Sequence, residues 1–324
     1  MLWTRTGLGI LAGAMLVWAC GGSDDGPDGQ KGSGGAAGSS GGTGGSGGTT
    51  AAQCFSDIQD GPIKIDYDQF KPTIGKSCSG TNHQDIKGVE QIVYLGDSIT
   101  NGDVISPKYN ATLTPKLMEM FPGATLKDCS KGGARNDDFL MGGNQIPQCF
   151  PNGTDNLRTL IVMTMGGNDI ASYAKDHLPV DQALAQAEIM ISQIRDAVVW
   201  LKDPQHFPNG SFVVFANVYE FTDTSGVLDS CALAPVAGFS GTWLEGASVL
   251  THINEQYMKI AVDTRSDMIF MAETFCGHGF KKDDATLQCY RGPNTPIYFD
   301  GTCIHPNADG ATAIANLFFD VVSE

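Results

Sequence analysis

Apolar residues along this chain arrive in two alternating patterns. Gln91–Leu95 (QIVYL), Thr159–Met165 (TLIVMTM), Ser211–Val218 (SFVVFANV) and Asp267–Glu273 (DMIFMAE) are short, largely apolar runs, as expected of strands covered on both faces. Ala124–Ser130 (ATLKDCS) reads as a further, less apolar strand. Between them lie segments with helical spacing. Thr114–Phe121 stops at Pro122-Gly123, Asp181–Lys202 is long and amphipathic with Asp181 as a cap, and Ser248–Thr264 and Asn307–Val322 follow. Strands alternating with helices predict an α/β domain with a mainly parallel five-stranded sheet and helices on both faces. The chain carries no internal repeat and no heptad or basic stripe.

This periodicity starts only near Cys54. Before it, Arg5 precedes the apolar run Leu8–Ala19, too short for a membrane span and of the length of a signal-peptide core. Val17 and Ala19 suit cleavage before Cys20, and VWAC resembles a bacterial lipobox, whose cysteine becomes lipid-modified. Residues 20–53 are Gly- and Ser-rich with almost nothing to bury, the composition of a flexible tether. The expected organisation is a signal peptide at 1–19, a linker at 20–53 that begins with a possible lipid anchor on Cys20, and one domain at 54–324.

Charge and cysteines narrow the setting. A net charge of −16 disfavours nucleic acid and anionic lipid as partners. Of nine cysteines, setting Cys20 aside leaves an even number, which fits disulfides in an oxidising compartment outside the cytoplasm. Pairing of sequence neighbours would give Cys54–Cys78, Cys129–Cys149, Cys231–Cys276 and Cys289–Cys303. Cys276 and His278 have no second ligand pair near them, so a zinc site is the weaker reading; no cofactor is expected.

Four loops follow strands or lead into the last helix: GDSIT around Ser98, SKGGARNDD (130–138), GGND (166–169) and DGTCIHPNADG (300–310). A parallel sheet gathers such loops at one edge. Their residue types suit acyl transfer. Ser98 is a weak nucleophile until a base takes its proton, and His305 is the candidate base. Gly132 N–H, the Asn168 amide and Ser98 N–H are candidate donors to an oxyanion. Taken alone, Ser98 reads first as a turn hydroxyl, and Asp97 and Asp169 read as loop braces.

With these four blocks in order, the chain resembles the SGNH or GDSL hydrolases. GDSIT matches that family's nucleophile block. SKGGAR resembles its Asn-x-Gly-x-x-Gly block, which places the oxyanion donor on Gly132. GGND gives Asn168, and IHPNADG gives His305. The resemblance implies a flavodoxin-like three-layer α/β/α sandwich, a shallow open site, no metal, and hydrolysis of carboxylic esters. Export places such an enzyme among glycans, so short-chain or carbohydrate O-acyl esters are the expected substrates. A lysophospholipase or lipase, an acyltransferase, and a non-catalytic glycan-binding lipoprotein on the same scaffold are the alternatives. Two positions depart from the family. Its asparagine in the second block is Ser130 here. Its catalytic acid stands three residues before the histidine, where this chain has Thr302. Either Asp300 swings in as the acid, or a backbone carbonyl near Thr302 orients His305.

Overall fold

The computed structural model describes residues 79–102 and 108–324. The expected signal peptide, linker, Cys20 anchor and Cys54–Cys78 bridge lie outside the described residues. Five strands form one sheet: β1 (Gln91–Gly96), β2 (Thr125–Asp128), β3 (Thr159–Thr164), β4 (Ser211–Ala216) and β5 (Asp267–Ile269). Their order is β2-β1-β3-β4-β5, and every neighbouring pair is parallel. This is the flavodoxin-like order, with its switch point between β1 and β3.

β1 and β3 are buried at all six positions. Apolar side chains fill the middle of each, at 92–95 and 160–163, as two covered faces require, while Gln91, Thr159 and Thr164 at the ends are buried polar groups held by hydrogen bonds. β2, at the sheet's edge, is mostly exposed, which accounts for its weaker apolar signal. The long helices supply the two outer layers. α2 (Tyr109–Met120) packs with α8 (Ala308–Ser323), and α5 (Val180–Lys202) packs with α6 (Gly246–Thr264). Short helices α1 (Ser98–Asn101), α3 (Gln145–Cys149), α4 (Gly167–Lys175) and α7 (Met271–Phe275) lie in the connections. Among the described residues no helix is long and apolar enough to cross a membrane, and no cluster of His, Cys, Asp or Glu gathers as a metal site.

Three details differ from the sequence expectations. The run 267–273 is strand only to Ile269, and from Met271 it is the first turn of α7. Apolar character alone does not separate a buried strand from a buried helix. α2 begins at Tyr109, ahead of Pro115, which lies inside the helix. α5 is entered from Pro179, so Asp181 sits in its first turn, where it complements the helix dipole, and is not the cap.

Cys129–Cys149 pair as expected. The other two pairings are corrected: Cys231 joins Cys303, and Cys276 joins Cys289. The segment after β4 explains the exchange. It folds on itself through the antiparallel bridge Val227↔Thr242 and the bond from Leu228 N–H to Gly241 C=O. It thereby carries Cys231 to the loop before α8 and away from its sequence neighbour at the end of α7. The two bridges close chain segments of 72 and 13 residues, for which chain entropy gives about 4 and about 3 kcal/mol. Cys231→Ser/Cys303→Ser should therefore lower the urea-denaturation free energy more than Cys276→Ser/Cys289→Ser. The reverse order would show that the longer bridge adds no constraint to the unfolded chain.

Candidate active site

Ser98 is positioned by a turn that only certain residues can make. Gly96 has φ 130°, and a Cβ there would lie 2.3 Å from the Thr164 carbonyl oxygen. Any other side chain would be strained in backbone and in space. Gln145 clasps the turn from outside, accepting from Gly96 N–H at 2.7 Å and donating to its carbonyl at 2.9 Å. Asp97 caps α1: its carboxylate accepts from Ile99 N–H at 3.0 Å and from the Thr164 hydroxyl at 2.8 Å. Ser98 thus begins α1 at the carboxyl end of β1. Its N–H is the first of that helix and has no intrahelical partner.

The second block docks on the same turn. Lys131 N–H donates to Gly96 C=O at 2.9 Å, and the Asn101 amide donates to Ser130 C=O at 3.2 Å. Ser130, where the family has asparagine, donates its own hydroxyl to Asp128 at 2.5 Å. Gly132 lies in this loop, exposed to solvent. Disulfide Cys129–Cys149 secures the loop's start. Asn168 stands in the first turn of α4, after β3, and its amide donates to Ala134 C=O at 2.9 Å. An amide nitrogen has two hydrogens, so this bond orients Asn168 and leaves one for another acceptor. Asp169 turns inward and accepts from Asn136 N–H at 3.2 Å. Asn136 in turn donates to Met190 C=O and to the Tyr257 hydroxyl.

His305 arrives from the far end of the chain. Phe299 and Pro306 form an antiparallel bridge, and Asp300 N–H donates to His305 C=O at 2.9 Å. Residues 300–305 are therefore a tight hairpin. Asn307 caps α8 directly behind it, accepting from Gly310 N–H at 3.0 Å. The Tyr219 hydroxyl donates to Ile304 C=O at 2.8 Å, and Cys303 is tied to Cys231. In this setting His305 Nε2 lies 3.0 Å from Ser98 Oγ.

His305 Nδ1 meets a side-chain hydroxyl. Asp300 does not touch the imidazole, and no backbone carbonyl holds Nδ1. The Thr302 hydroxyl stands between them, 2.8 Å from His305 Nδ1 and 2.5 Å from Asp300 Oδ1. The same carboxylate oxygen accepts from Thr302 N–H at 2.7 Å. This side-chain turn spends Asp300 locally and brings the threonine forward. In the sequence, Thr302 occupies the position of the acid in the histidine block that the chain resembles.

Ser98 and His305 are 9% and 8% exposed, at the floor of a cleft of about 170 Å³. The resemblance implied a shallow open site. The segment between β4 and α6 deepens it, contributing Phe221, Leu228, Phe239 and Trp243 to one wall, while Ile170 and Leu250 add apolar surface from α4 and α6. Sequence reasoning missed these residues because the segment has neither helical nor strand period. Burial holds His305 below the ordinary imidazole range, with the Asp300 charge acting in the opposite direction. Burial also pushes Asp97 up to about 6 and Asp169 up to about 7, against their hydrogen bonds.

Residues 92–318 match the GDSL-like lipase/acylhydrolase family. The chain belongs to that family. No curated protein matches it in sequence. Solved structures similar to this family member include a gut microbial diltiazem-metabolizing enzyme, 16% identical over 75% of this chain and 49% of that one, with a TM-score of 0.49. The chain thus spans about half of that protein's length. An acetylxylan esterase from Geobacillus stearothermophilus is 14% identical over 74% and 97% of the two chains, with a TM-score of 0.48. A phospholipase A1 from Streptomyces albidoflavus NA297 is 18% identical over 72% and 98%, with a TM-score of 0.45.

The raised carboxyl of Asp169 makes stability depend on pH. A free aspartate titrates near 3.9, so the fold favours the neutral form. That contribution is complete below about pH 4 and is lost as pH rises through about 7. Asp169→Asn keeps an oxygen for Asn136 N–H and removes the charge. Its melting temperature relative to the native protein should rise between about pH 5 and pH 8. A difference that stays level with pH would mean that Asp169 ionises as a free aspartate does.

Proposed function

We propose that this protein is an exported serine esterase that hydrolyses carboxylic esters at Ser98. The observation that carries this reading is the 3.0 Å contact between Ser98 Oγ and His305 Nε2 at the floor of the cleft. In the proposed cycle His305 takes the hydroxyl proton as Oγ bonds to the ester carbonyl carbon. Ser98 N–H, Gly132 N–H and the second Asn168 amide hydrogen hold the oxyanion. His305 then gives the proton to the departing alcohol, activates water, and the acyl–serine bond is hydrolysed. Asp300 is placed in this reading as the distant charge behind His305. The disulfides support an extracytoplasmic setting, with the tether at 20–53 and a lipid on Cys20 as the proposed attachment.

The cleft's walls favour a second, narrower reading within this one. The sequence reading favoured short-chain or carbohydrate O-acyl esters. Ile170, Leu228, Phe239, Trp243 and Leu250 form an apolar stretch of the lining, beside the polar Glu220, Thr251 and Asn254, and that stretch suits an apolar acyl chain, as in the lipase or lysophospholipase alternative. Each methylene buried there is worth up to about 0.8 kcal/mol, or about fourfold in kcat/KM.

Ser98→Ala should abolish turnover of p-nitrophenyl esters. Asn168→Ala should lower kcat by about 10²–10³-fold. A Ser98→Ala protein as active as the native one would end the serine-esterase reading, and a native protein without turnover would favour the binding lipoprotein. Across acetate, butyrate and octanoate esters kcat/KM should climb, and Trp243→Ala should flatten the climb. Peak activity on acetate in both proteins would return the assignment to short-chain or carbohydrate esters. Because the base must be neutral, the acidic limb of kcat/KM should fall below the ordinary imidazole pKa of about 6.5.

A further inference from the structure

We propose that Thr302 is a positioning residue whose hydroxyl links the Asp300 carboxylate to His305 and fixes the imidazole tautomer that faces Ser98. The inference rests on the serine-esterase reading and adds to it a group that the family pattern does not supply.

The argument is one of counting hydrogens. A hydroxyl has a single hydrogen. An ionised carboxylate can only accept, so the hydrogen of Thr302 Oγ1 goes to Asp300 Oδ1, 2.5 Å away. Toward His305 Nδ1, at 2.8 Å, the same oxygen is then left only as an acceptor. Nδ1 must carry the ring proton, and Nε2 presents its lone pair to the Ser98 hydroxyl. Thr302 N–H on the same carboxylate oxygen blocks rotation of Asp300 away from this arrangement. When Ser98 passes its proton to Nε2, the imidazolium keeps its Nδ1–H bond to Thr302. The threonine keeps its own proton, and Asp300 stays ionised. No proton crosses to the carboxylate, and the charge acts through one intervening hydroxyl.

The surroundings of His305 add no competing partner for Nδ1. Asp97 before α1, Tyr219 and Glu220 after β4, and Glu273 in α7 line the same cleft, and among the described residues lining it there is no lysine or arginine. Tyr219 is engaged with Ile304 C=O, and Asp97 with Ile99 and Thr164. Glu220 accepts from the backbone N–H of Thr222 and of Thr224. Glu273 accepts from the Asn217 amide at 2.7 Å. Asp300, through Thr302, is the charge aligned with Nδ1.

The test compares Thr302→Ser, Thr302→Val, and the double variant Asp300→Asn/Thr302→Asp, which restores a directly contacting carboxylate, with the native protein and Ser98→Ala. Melting curves establish that each is folded. Thr302→Ser should stay within about threefold of native kcat, and Thr302→Val should lose about 10²-fold in kcat with KM little changed. The double variant should recover activity over Thr302→Val and shift the acidic limb of its pH–rate profile upward, because a carboxylate in contact with Nδ1 stabilises imidazolium. A purely structural threonine would move neither the limb nor the split between kcat and KM. Ring-nitrogen NMR of His305 reads the tautomer without turnover. The native protein and Thr302→Ser should hold Nδ1–H, and Thr302→Val should populate Nε2–H. A folded Thr302→Val with native kcat, or with a single Nδ1–H tautomer, would overturn the proposal. A native protein that turns over no ester would remove the esterase reading, while the tautomer measurement still decides the role of Thr302.

Discussion

The hydrogen bond between Ser98 and His305 joins groups 207 positions apart in the chain, and almost every other feature of the fold bears on keeping that contact short. Closing so long a loop has an entropic cost that grows only slowly with length, so the larger demand is precision. Ser98 is fixed by β1, bonded on both sides by β2 and β3, and by a Gly96-Asp97 turn wedged against Thr164. His305 is fixed by a hairpin whose ends pair and by a disulfide from Cys303 to the segment after β4. Each side is held by its own local contacts, the preorganisation that the proposed catalytic pair requires.

The sequence disclosed those parts of the molecule whose physics is local. β1 and β3 are legible because a strand covered on both faces needs a run of apolar residues through its middle, here 92–95 and 160–163. Their carboxyl ends, and therefore the loops around Ser98 and Asn168, followed directly. Asp97 and Asp169 read as braces, and both are buried carboxylates holding backbone N–H groups. Legibility failed where a residue's role is set by a distant partner. Cys231 reaches Cys303 because an aperiodic segment doubles back, and no spacing rule encodes that return. Phe239 and Trp243 line the cleft for the same reason. Thr302 was hidden differently. A hydroxyl that both accepts and donates is defined by its two neighbours, and the sequence offered Asp300 and His305 without the turn that places the threonine between them.

Burial and charge act on His305 in opposite directions. Asp97, Glu220 and Glu273 line that cleft together with His305. Each carboxylate nearby favours imidazolium, while burial among apolar side chains favours the neutral ring. For His305 burial is the larger influence, and Asp300 is the charge opposing it. A carboxylate in direct contact with Nδ1 would strengthen that opposition, because Coulomb attraction rises steeply at short range in a medium of low effective dielectric. Setting a hydroxyl between them retains the directional part of the acid's work, the choice of tautomer, and reduces its charge stabilisation of imidazolium. A shallow, wetter cleft would screen the charge with solvent and need no such spacer. In this protein the burial of His305 among apolar side chains and, on the proposal above, the threonine that stands between it and Asp300 therefore act on the same quantity, the balance between neutral and protonated imidazole.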